Sequence, residues 1–496
     1  MNEQDTVLST GIEGLDVILA GGLLPGRLYL IEGEPGTGKT TTALQFLAEG
    51  ARHGESVLYI TLAESEVELR AVAKSHGWSL DGIHVHEVIG DERLLDASQQ
   101  YTMFHPSEVE MGDTIQKILN VVAERKPARV VLDSLSELQL LAENPLRYRR
   151  QVLALKQFFA NEQCTAFFLD DRTAKNGDLQ VRSIAHAVLM FEQDTKEYGS
   201  ERRRVRVIKY RGVDFRGGYH YYKIERGGIV VYPRLIAAES RVMQKRAQVP
   251  SGLARLDTLL GGGIEEGTST LLAGPPGTGK SSLAAKFVHA ALERGERAAM
   301  FLFEESVNNL VNRSEALHMN LRKYLDAGTL TIQQVDPAEL SPGEFVHTVC
   351  RIAVDGAKVI VIDSLNGFMN AMPDERLLTT HLHELLTYLG QRGVVTLLIG
   401  VQQGMLGTAT STMLETSYLA DNIVMLRYFE AGGEVKQAIA VFKKRGGYHE
   451  RTLRGFKLSS DGIEVGEVLR EFHGILTGVP QPAKSVRAAT PKIRNG

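Results

Sequence analysis

Residues 27–45 read RLYLIEGEPGTGKTTTALQ, and this stretch decides the fold of the chain around it. The apolar run Leu28–Ile31 predicts a buried strand, and the pattern from Ala43 onward predicts a helix. The glycines between them complete a strand, a loop and a helix in the order of a phosphate-binding P-loop. In such a loop, backbone N–H groups and the positive end of the helix hold phosphate oxygens. The sequence therefore predicts an ATP site, with contacts expected from Gly33, Gly36, Thr37, Gly38, Lys39, Thr40 and Thr41.

The same motif returns in the second half of the chain, where residues 270–282 read TLLAGPPGTGKSS. Lys280 follows Lys39 by 241 residues, and each lysine stands where it can reach the β- and γ-phosphates. A single Gly-rich turn can arise by chance, but its repetition between a strand and a helix indicates a second ATP site. The expected contacts there are Gly274, Gly277, Thr278, Gly279, Lys280, Ser281 and Ser282.

The repeat is wider than the two loops. Residues 9–16 read STGIEGLD before the first loop, and residues 250–257 read PSGLARLD before the second. Strands alternating with helices follow each loop, which predicts α/β domains with a mostly parallel, twisted sheet flanked by helices. We therefore predict two tandem P-loop ATPase domains, at residues 1–232 and 250–475, joined by a linker at residues 233–249. Residues 476–496 are rich in basic and poor in apolar side chains, which predicts a flexible basic tail.

Two apolar strands end in aspartate, at Asp133 and Asp363, a pattern typical of the Walker B motif. In a parallel sheet such a strand end lies beside the P-loop, so its carboxylate can hold Mg²⁺, usually through water. The expected Mg²⁺ ligands are therefore Thr40 and Asp133 in the first half, and Ser281 and Asp363 in the second. The alternative is that each aspartate caps the helix that follows it.

Hydrolysis also needs a group that orients or deprotonates water, and glutamates at a neighbouring strand tip are candidates. The second half has Glu304 and Glu305 at that tip, whereas the matching stretch of the first half has Ala63 and Glu64. The halves are thus predicted to differ, with the first hydrolysing slowly or using Glu64 in place of the missing neighbour. The alternative is that these glutamates only interact with a helix dipole.

Both halves close with a K-x-R-G signature, which contains Lys209 and Arg211 in the first and Lys443 and Arg445 in the second. Cations at strand ends are usually solvated, but the repetition favours a functional pair. An arginine beside the departing phosphoryl group contributes about 10³–10⁵ in rate in other systems, and nothing near either P-loop in sequence supplies one. If the K-x-R-G cations face a neighbouring subunit, the active sites form only in a ring. Gln402, after a further predicted strand, is either a γ-phosphate sensor or a loop residue.

Composition limits the partners. The formal net charge of −4 over 496 residues gives no general attraction to nucleic acid or to an anionic membrane. The two cysteines lie far apart in sequence and are predicted to be buried rather than a redox or metal pair, and their low number favours a cytoplasmic protein. The N-terminal residues do not resemble a signal peptide, and no apolar run approaches the ~20 residues of a membrane span.

Taken together, these motifs resemble the KaiC family of RecA-like tandem ATPases, over roughly residues 8–475. The resemblance implies a two-tiered homohexamer with ATP at the subunit interfaces, where Lys209, Arg211, Lys443 and Arg445 approach the neighbour's γ-phosphate. It also implies slow ATP hydrolysis in the first domain, and a Ser/Thr autokinase and autophosphatase in the second, with Glu304 as general base. Ser417 matches the family's phosphorylated serine and Thr412 a nearby threonine, but Tyr418 stands where a second phosphorylated threonine would be. No clock role and no signalling partner is inferred.

Three functions follow from this sequence. The first is a hexameric ATPase that autophosphorylates on its second domain. The second is a nucleotide-switched signalling scaffold, which Ala63 and Tyr418 favour and the pair Glu304–Glu305 opposes. The third is a RecA-like DNA recombinase or helicase, which the net charge and the two-cysteine content oppose because neither a basic DNA surface nor a zinc module is evident.

Overall fold

The computed structural model describes residues 7–88, 106–142, 144–171, 179–195, 198–240, 246–370, 378–401, 418–477 and 481–482. The contacts divide the chain into two units, Met1–Arg234 and Leu235–Gly496. Each unit builds its own central sheet and its own apolar core.

The first unit alternates strands and helices before it ends in four consecutive strands. Its elements are α1 (Glu13–Ile18), β1 (Leu28–Gly33), α2 (Lys39–Arg52), β2 (Val57–Thr61), α3 (Glu66–Ser75), β3 (Ile83–Glu87), α4 (Pro106–Arg125), β4 (Arg129–Asp133), α5 (Leu135–Leu141), α6 (Pro145–Asn161), β5 (Thr165–Asp170), α7 (Leu179–Ile184), β6 (Ala187–Asp194), β7 (Arg202–Tyr210), β8 (His220–Glu225) and β9 (Gly228–Tyr232).

The second unit repeats this order after a short 3-10 helix, Ala237–Ser240. Its elements are β10 (Gln248–Val249), α8 (Ala254–Leu259), β11 (Ile264–Glu265), β12 (Ser269–Gly274), α9 (Lys280–Glu293), β13 (Arg297–Leu302), α10 (Val307–Ala316), α11 (Leu321–Asp326), β14 (Leu330–Gln334), α12 (Pro342–Val354), β15 (Ala357–Asp363), α13 (Leu365–Asn370), α14 (Leu378–Gln391), β16 (Val395–Val401), β17 (Asn422–Ala431), β18 (Glu434–Lys444), β19 (Arg454–Ser459), β20 (Gly462–Val468), β21 (Phe472–His473) and β22 (Gln481–Pro482).

Both large sheets have the same topology. The first runs β3-β2-β4-β5-β1-β6-β7-β8-β9, and the second runs β14-β13-β15-β16-β12-β17-β18-β19-β20. In each sheet the first six strands are parallel and the last three add on antiparallel to their neighbours. The P-loop strands β1 and β12 are interior strands of their sheets, so the site at their ends is flanked by strands on both sides.

Burial on both faces explains the continuous apolar runs of the sequence. Leu28 and Leu30 of β1 join the core under α4, α5 and α6, whereas Tyr29 and Ile31 join the core under α1 and α2. Successive strand residues point to opposite faces, so a strand covered by helices on both sides needs apolar residues at every position. The prediction of two tandem RecA-like α/β domains, each with a mostly parallel sheet flanked by helices, is confirmed.

Ala237 and residues 248–249, which belong to the predicted linker at 233–249, make defined contacts. Ala237 is only 3% exposed, and its backbone N donates to Oε2 of Glu384 on α14 at 2.9 Å. Strand β10, at the end of this segment, pairs with β11, which follows the segment in the chain. Among the described residues, no helix combines the length and the apolar character that a membrane crossing requires.

Candidate nucleotide sites

The first P-loop wraps the end of the Lys39 side chain. Nζ of Lys39 donates to the backbone oxygens of Gly33 at 2.8 Å and Glu34 at 3.0 Å. Gly38, at the start of α2, has a φ of +85°, and a Cβ there would stand 2.8 Å from Cδ1 of Ile224. Only glycine fits both restraints. The Lys39 ammonium is therefore held at the centre of the loop, where the phosphates of a nucleotide bind.

The second P-loop has the same construction. Nζ of Lys280 donates to the backbone oxygens of Gly274 at 2.9 Å and Pro275 at 2.7 Å. Burial lowers the pKa of Lys280 to about 8, while the carboxylates of Asp363 and Glu304 act in the opposite direction. The protein thus bears a desolvation cost at Lys280 that the negative charge of a bound phosphate would relieve.

Two hydroxyl residues of each loop are buried in the cradle. Thr37, Thr41, Thr278 and Ser282 are buried, and Oγ1 of Thr278 donates to the backbone oxygen of Pro275 at 2.8 Å. The hydroxyl of Tyr222, on the antiparallel side of the sheet, donates to the backbone oxygen of Thr37 at 2.6 Å. A hydrogen bond from a strand therefore supports the first loop, and a hydrogen bond within the loop supports the second.

The strand-end aspartates lie beside the P-loops, as expected for Mg²⁺ ligands. The Asp133 carboxylate hydrogen-bonds the Thr40 side chain and accepts from the hydroxyl of Tyr59 at 2.5 Å. Asp363 hydrogen-bonds the Ser281 side chain, and its buried Oδ2 has no partner among the described residues. Burial raises the pKa of both carboxyl groups, so a bound cation would stabilise their charged forms. A hydroxyl beside a carboxylate fits Mg²⁺ in both sites.

Backbone hydrogen bonds fix which glutamates correspond between the halves. The backbone N–H of Leu62 donates to the backbone oxygen of Asp133 at 2.7 Å. The backbone N–H of Phe303 donates to the backbone oxygen of Asp363 at 2.7 Å. Glu304, which follows Phe303, therefore occupies the place of Ala63.

The two glutamates of the second half have different partners. Oε1 of Glu304 accepts from Oγ of Ser364, next to the Walker B aspartate, at 2.8 Å. Glu305 instead forms a two-pronged ion pair with Arg313 on α10, at 2.5 and 2.9 Å. Both residues precede Ser306, whose side chain caps α10, so they stand outside the first helical turn. Glu304 is thus the glutamate tied to the Walker B strand.

Glu64 has a different environment from its counterpart Glu305. Val72 occupies on α3 the place that Arg313 occupies on α10, so the arginine partner is missing. Burial raises the pKa of Glu64, and the charges of Asp133, Glu68 and Asp171 act in the same direction. Its buried Oε2 has no hydrogen-bond partner among the described residues. The first site therefore holds a carboxylate with a free oxygen near Asp133 and Lys39.

Asp171 is a site residue that the sequence analysis missed. Its Oδ1 lies 2.8 Å from Nζ of Lys39, and its Oδ2 accepts from Oγ of Ser134 at 3.1 Å. Register with the P-loop strands puts Val401 at the matching place in the second domain. The acidic pair that follows the apolar run 165–169 was the signal in the sequence.

In each domain the K-x-R-G cations lie near the opposite end of the parallel strands from the P-loop. Lys209 pairs in register with Val188 near the start of β6, whereas the P-loop leaves β1 beside Phe191 further along that strand. Lys443 likewise pairs with Ile423 near the start of β17. One chain therefore separates these cations from its own candidate catalytic carboxylates.

Each K-x-R-G pair contacts the segment just before the neighbouring strand. Nζ of Lys209 donates to the backbone oxygen of Arg182, and Nη2 of Arg211 donates to the backbone oxygen of Ser183 at 2.6 Å. In the second domain Arg445 forms an ion pair with Asp421 at 3.1 Å.

Comparison with known proteins gives the family. The sequence profile described as "ATPase: KaiC" matches residues 8–236 and again 249–470. The chain belongs to the KaiC family. It is 28% identical over 480 residues to the circadian clock protein KaiC3 of Synechocystis sp., covering 95% of this chain and 94% of that protein. It is also 28% identical over 483 residues to the circadian clock oscillator protein KaiC of Acaryochloris marina, covering 96% and 91%.

Membership of the KaiC family makes this chain a KaiC-like ATP-binding protein with two ATPase domains. The candidate phosphorylation residues Ser417 and Thr412, together with Gln402, lie outside the described residues. Tyr418, the first described residue after them, is 56% exposed.

Proposed function

We propose that this KaiC-like protein hydrolyses ATP at the subunit interfaces of a homohexamer and that its second domain autophosphorylates on serine or threonine. One observation carries the proposal: the P-loop and its carboxylates lie at the C-terminal ends of the parallel strands, and the K-x-R-G cations lie toward their N-terminal ends. A head-to-tail ring brings these two ends together at every interface.

In the proposed second site, Lys280 binds the β- and γ-phosphates and Ser281 and Asp363 hold Mg²⁺. Bound Mg²⁺ would neutralise charge on the phosphate oxygens. Glu304 is the proposed general base, since it stands beside the Walker B strand and its other oxygen is oriented by Ser364. Lys443 and Arg445 of the neighbouring chain stabilise the charge of the departing phosphoryl group.

In the proposed first site, Lys39, Thr40 and Asp133 take the same roles, and Glu64 replaces the missing glutamate. Its raised pKa and its unpartnered oxygen support a role in accepting a proton from water. Lys209 and Arg211 of the neighbour would complete this site.

A nucleotide-switched scaffold is the second candidate, and the ion pair between Lys39 and Asp171 favours it for the first domain. The γ-phosphate has to compete with the Asp171 carboxylate for the same ammonium group. Under this proposal ATP mainly holds the ring together, and turnover in the first domain is slow.

Incubation with γ-³²P-labelled ATP and Mg²⁺, followed by mass-spectrometric mapping, tests the proposal. We expect label on Ser417 or Thr412, and we expect Glu304→Gln to abolish it while leaving ATP-dependent hexamers intact. ATP consumption without label would leave an ATPase alone. ATP-dependent hexamers without turnover would favour the scaffold, and strong stimulation by single-stranded DNA would favour a DNA motor.

A further inference from the structure

Arg182, on the short helix α7, makes contacts toward both ends of the parallel strands in the first domain. The chain reaches the start of β1 just after α7 ends, since the backbone N–H of His186 donates to the backbone oxygen of Leu28 at 2.8 Å. Side chains on a helix tilt toward its N-terminus, whereas its last carbonyl groups point past its C-terminus. The side chain and the carbonyl group of Arg182 can therefore reach toward opposite ends of the sheet.

The side chain of Arg182 is tied to the strand that enters the first P-loop. Its Nε lies 2.8 and 3.0 Å from the two carboxylate oxygens of Glu32, and its Nη2 lies 2.7 Å from Oε2 of Glu32. Glu32 directly precedes Gly33, whose backbone oxygen accepts from Lys39, and only 5% of the Glu32 side chain is exposed. A two-pronged ion pair fixes the geometry of both partners, so α7 is held at a defined place against β1.

The last carbonyl groups of α7 hold the K-x-R-G cations. The side chains of Lys209, Arg211 and Lys156 donate to the backbone oxygens of residues 182, 183 and 184, in that order. Burial lowers the pKa of Lys209, and the charges of Arg211 and Lys156 act in the same direction. Because these cations repel one another, their positions depend on the carbonyl groups that bind them.

The second domain has no charge at the matching place of its P-loop strand. Ala273 stands where the first domain has Glu32. Each of the two residues directly precedes the first glycine of its P-loop and pairs in register with a methionine of the next parallel strand. An alanine side chain offers no oxygen to an arginine, so the second domain cannot form this ion pair.

The sequence of the second domain also lacks the arginine. The K-x-R-G arginine donates to the backbone oxygen of Ser183 in the first domain and, at 3.5 Å, to that of Tyr418 in the second. The residue before Tyr418 is Ser417, which lies outside the described residues, so a serine replaces Arg182 in the repeat. The ion pair is thus specific to the first domain, and the second domain shows which two residues can replace it.

We propose that Arg182 is a positioning residue, which Glu32 holds in place and which in turn holds Lys209 and Arg211 where the neighbouring subunit needs them. Arg182 of one chain then serves the active site of the next chain without touching its nucleotide. The inference rests on the proposed interface sites, because only a shared site needs these cations in fixed positions. A misplacement of about 1 Å at an active site can cost roughly 100-fold in rate.

The test gives the first domain the two residues of the second, as Glu32→Ala with Arg182→Ser. Removing both charges leaves no buried carboxylate without a partner, so thermal melts of this double variant should resemble those of the parent. Phosphate release in a Lys280→Ala background reports on the first domain alone. Turnover should fall at least about tenfold, whereas ATP affinity in equilibrium dialysis should stay within about twofold, because the cradle is unchanged. Arg182→Lys keeps a charged contact and should retain more turnover.

Mixed rings decide whether the ion pair serves its own cradle or the neighbour's. In the Lys280→Ala background, the double variant is mixed with a Lys39→Ala chain, whose cradle is inactive but whose ion pair is intact. A double-variant cradle that receives cations from the Lys39→Ala chain should regain parent turnover, so random mixing in equal amounts should give roughly a quarter of the parent rate. Turnover that stays at the average of the two unmixed proteins, in rings verified as mixed, would show a purely local role and overturn the proposal.

A control separates failure of this proposal from failure of the proposed function. Lys209→Ala with Arg211→Ala should also lower turnover by the first domain. If it does, and the Glu32→Ala, Arg182→Ser variant keeps the parent turnover, only the positioning role is overturned. If the Lys209→Ala, Arg211→Ala variant itself keeps the parent turnover, the shared site of the first domain is refuted, and the positioning role with it.

Discussion

The two nucleotide sites of this chain share a nearly identical cradle but differ in the carboxylates around it. In the second domain Glu304 bonds Ser364, and Glu305 is held away by Arg313. In the first domain, Ala63 and Val72 replace Glu304 and Arg313.

The absence of both a Glu304 and an Arg313 counterpart in the first domain changes the surroundings of Glu64. Without an arginine partner, Glu64 keeps a buried oxygen that no described residue bonds, in the field of Asp133. Aligned position alone would equate Glu64 with Glu305, yet Glu64 lacks the ion pair with an arginine that holds Glu305. The comparison teaches that the partner of a carboxylate, as well as its place in the repeat, decides its chemistry.

The largest effect is expected from Lys280→Ala, which removes the side-chain cation that the described residues place in the second cradle. Nucleotide extracted from the purified protein should fall to about half of the wild-type amount, because one cradle loses its phosphate ligand. Lys39→Ala is the matched variant and should remove the other half. Unchanged nucleotide content in Lys280→Ala would show that the second cradle does not need this lysine.

Glu304→Gln should lower ATP turnover by the second domain about 10²–10⁴-fold, because the amide cannot accept a proton. Phosphate release is measured in a Lys39→Ala background, so that the second domain alone contributes. Glu305→Gln is the matched control and should cost much less turnover, since its contact is with Arg313. Equal losses in the two variants would contradict the distinct roles assigned to these glutamates.

The affinity of the second domain for ATP should fall with rising pH above about 8. Lys280 carries its proton in the free protein below its lowered pKa of about 8, whereas above that pH binding must restore the proton. The affinity should therefore fall by up to about tenfold per pH unit until the pKa in the complex is reached. Lys280→Arg stays charged and should flatten the profile, so an equal slope in that variant would refute the assignment.

The smallest effect is expected from Asp171→Val, which gives the first domain the residue of the second. ATP affinity of the first domain should rise about two- to fivefold, because Lys39 no longer pairs with a partly exposed carboxylate. Dialysis in the Lys280→Ala background isolates this site. A decrease in affinity would instead place Asp171 among the groups that help to bind the nucleotide.

Local signals made the fold and both cradles predictable from the sequence. The glycines around Lys39 and Lys280 specify loop geometry within a few residues, and the apolar strands specify a sheet covered on both faces. The difference between Ala63 and Glu304 was also visible, since the halves align without gaps there.

Pairings between distant elements were not predictable. The ion pairs of Glu305 with Arg313 and of Lys39 with Asp171 depend on how side chains meet after folding. Asp170 and Asp171 stand out at a strand end, but nothing nearby in the sequence identifies Lys39 as the partner of Asp171.

The most direct test of the account mixes two inactive chains, Arg445→Ala and Glu304→Gln, into rings whose mixed composition is verified by native mass spectrometry. In a Lys39→Ala background, only interfaces with Glu304 from one chain and Arg445 from the next can turn over. Random mixing in equal amounts should restore roughly a quarter of the parent turnover if each site is shared across a head-to-tail interface. Verified mixed rings that remain as inactive as either parent would contradict the shared site.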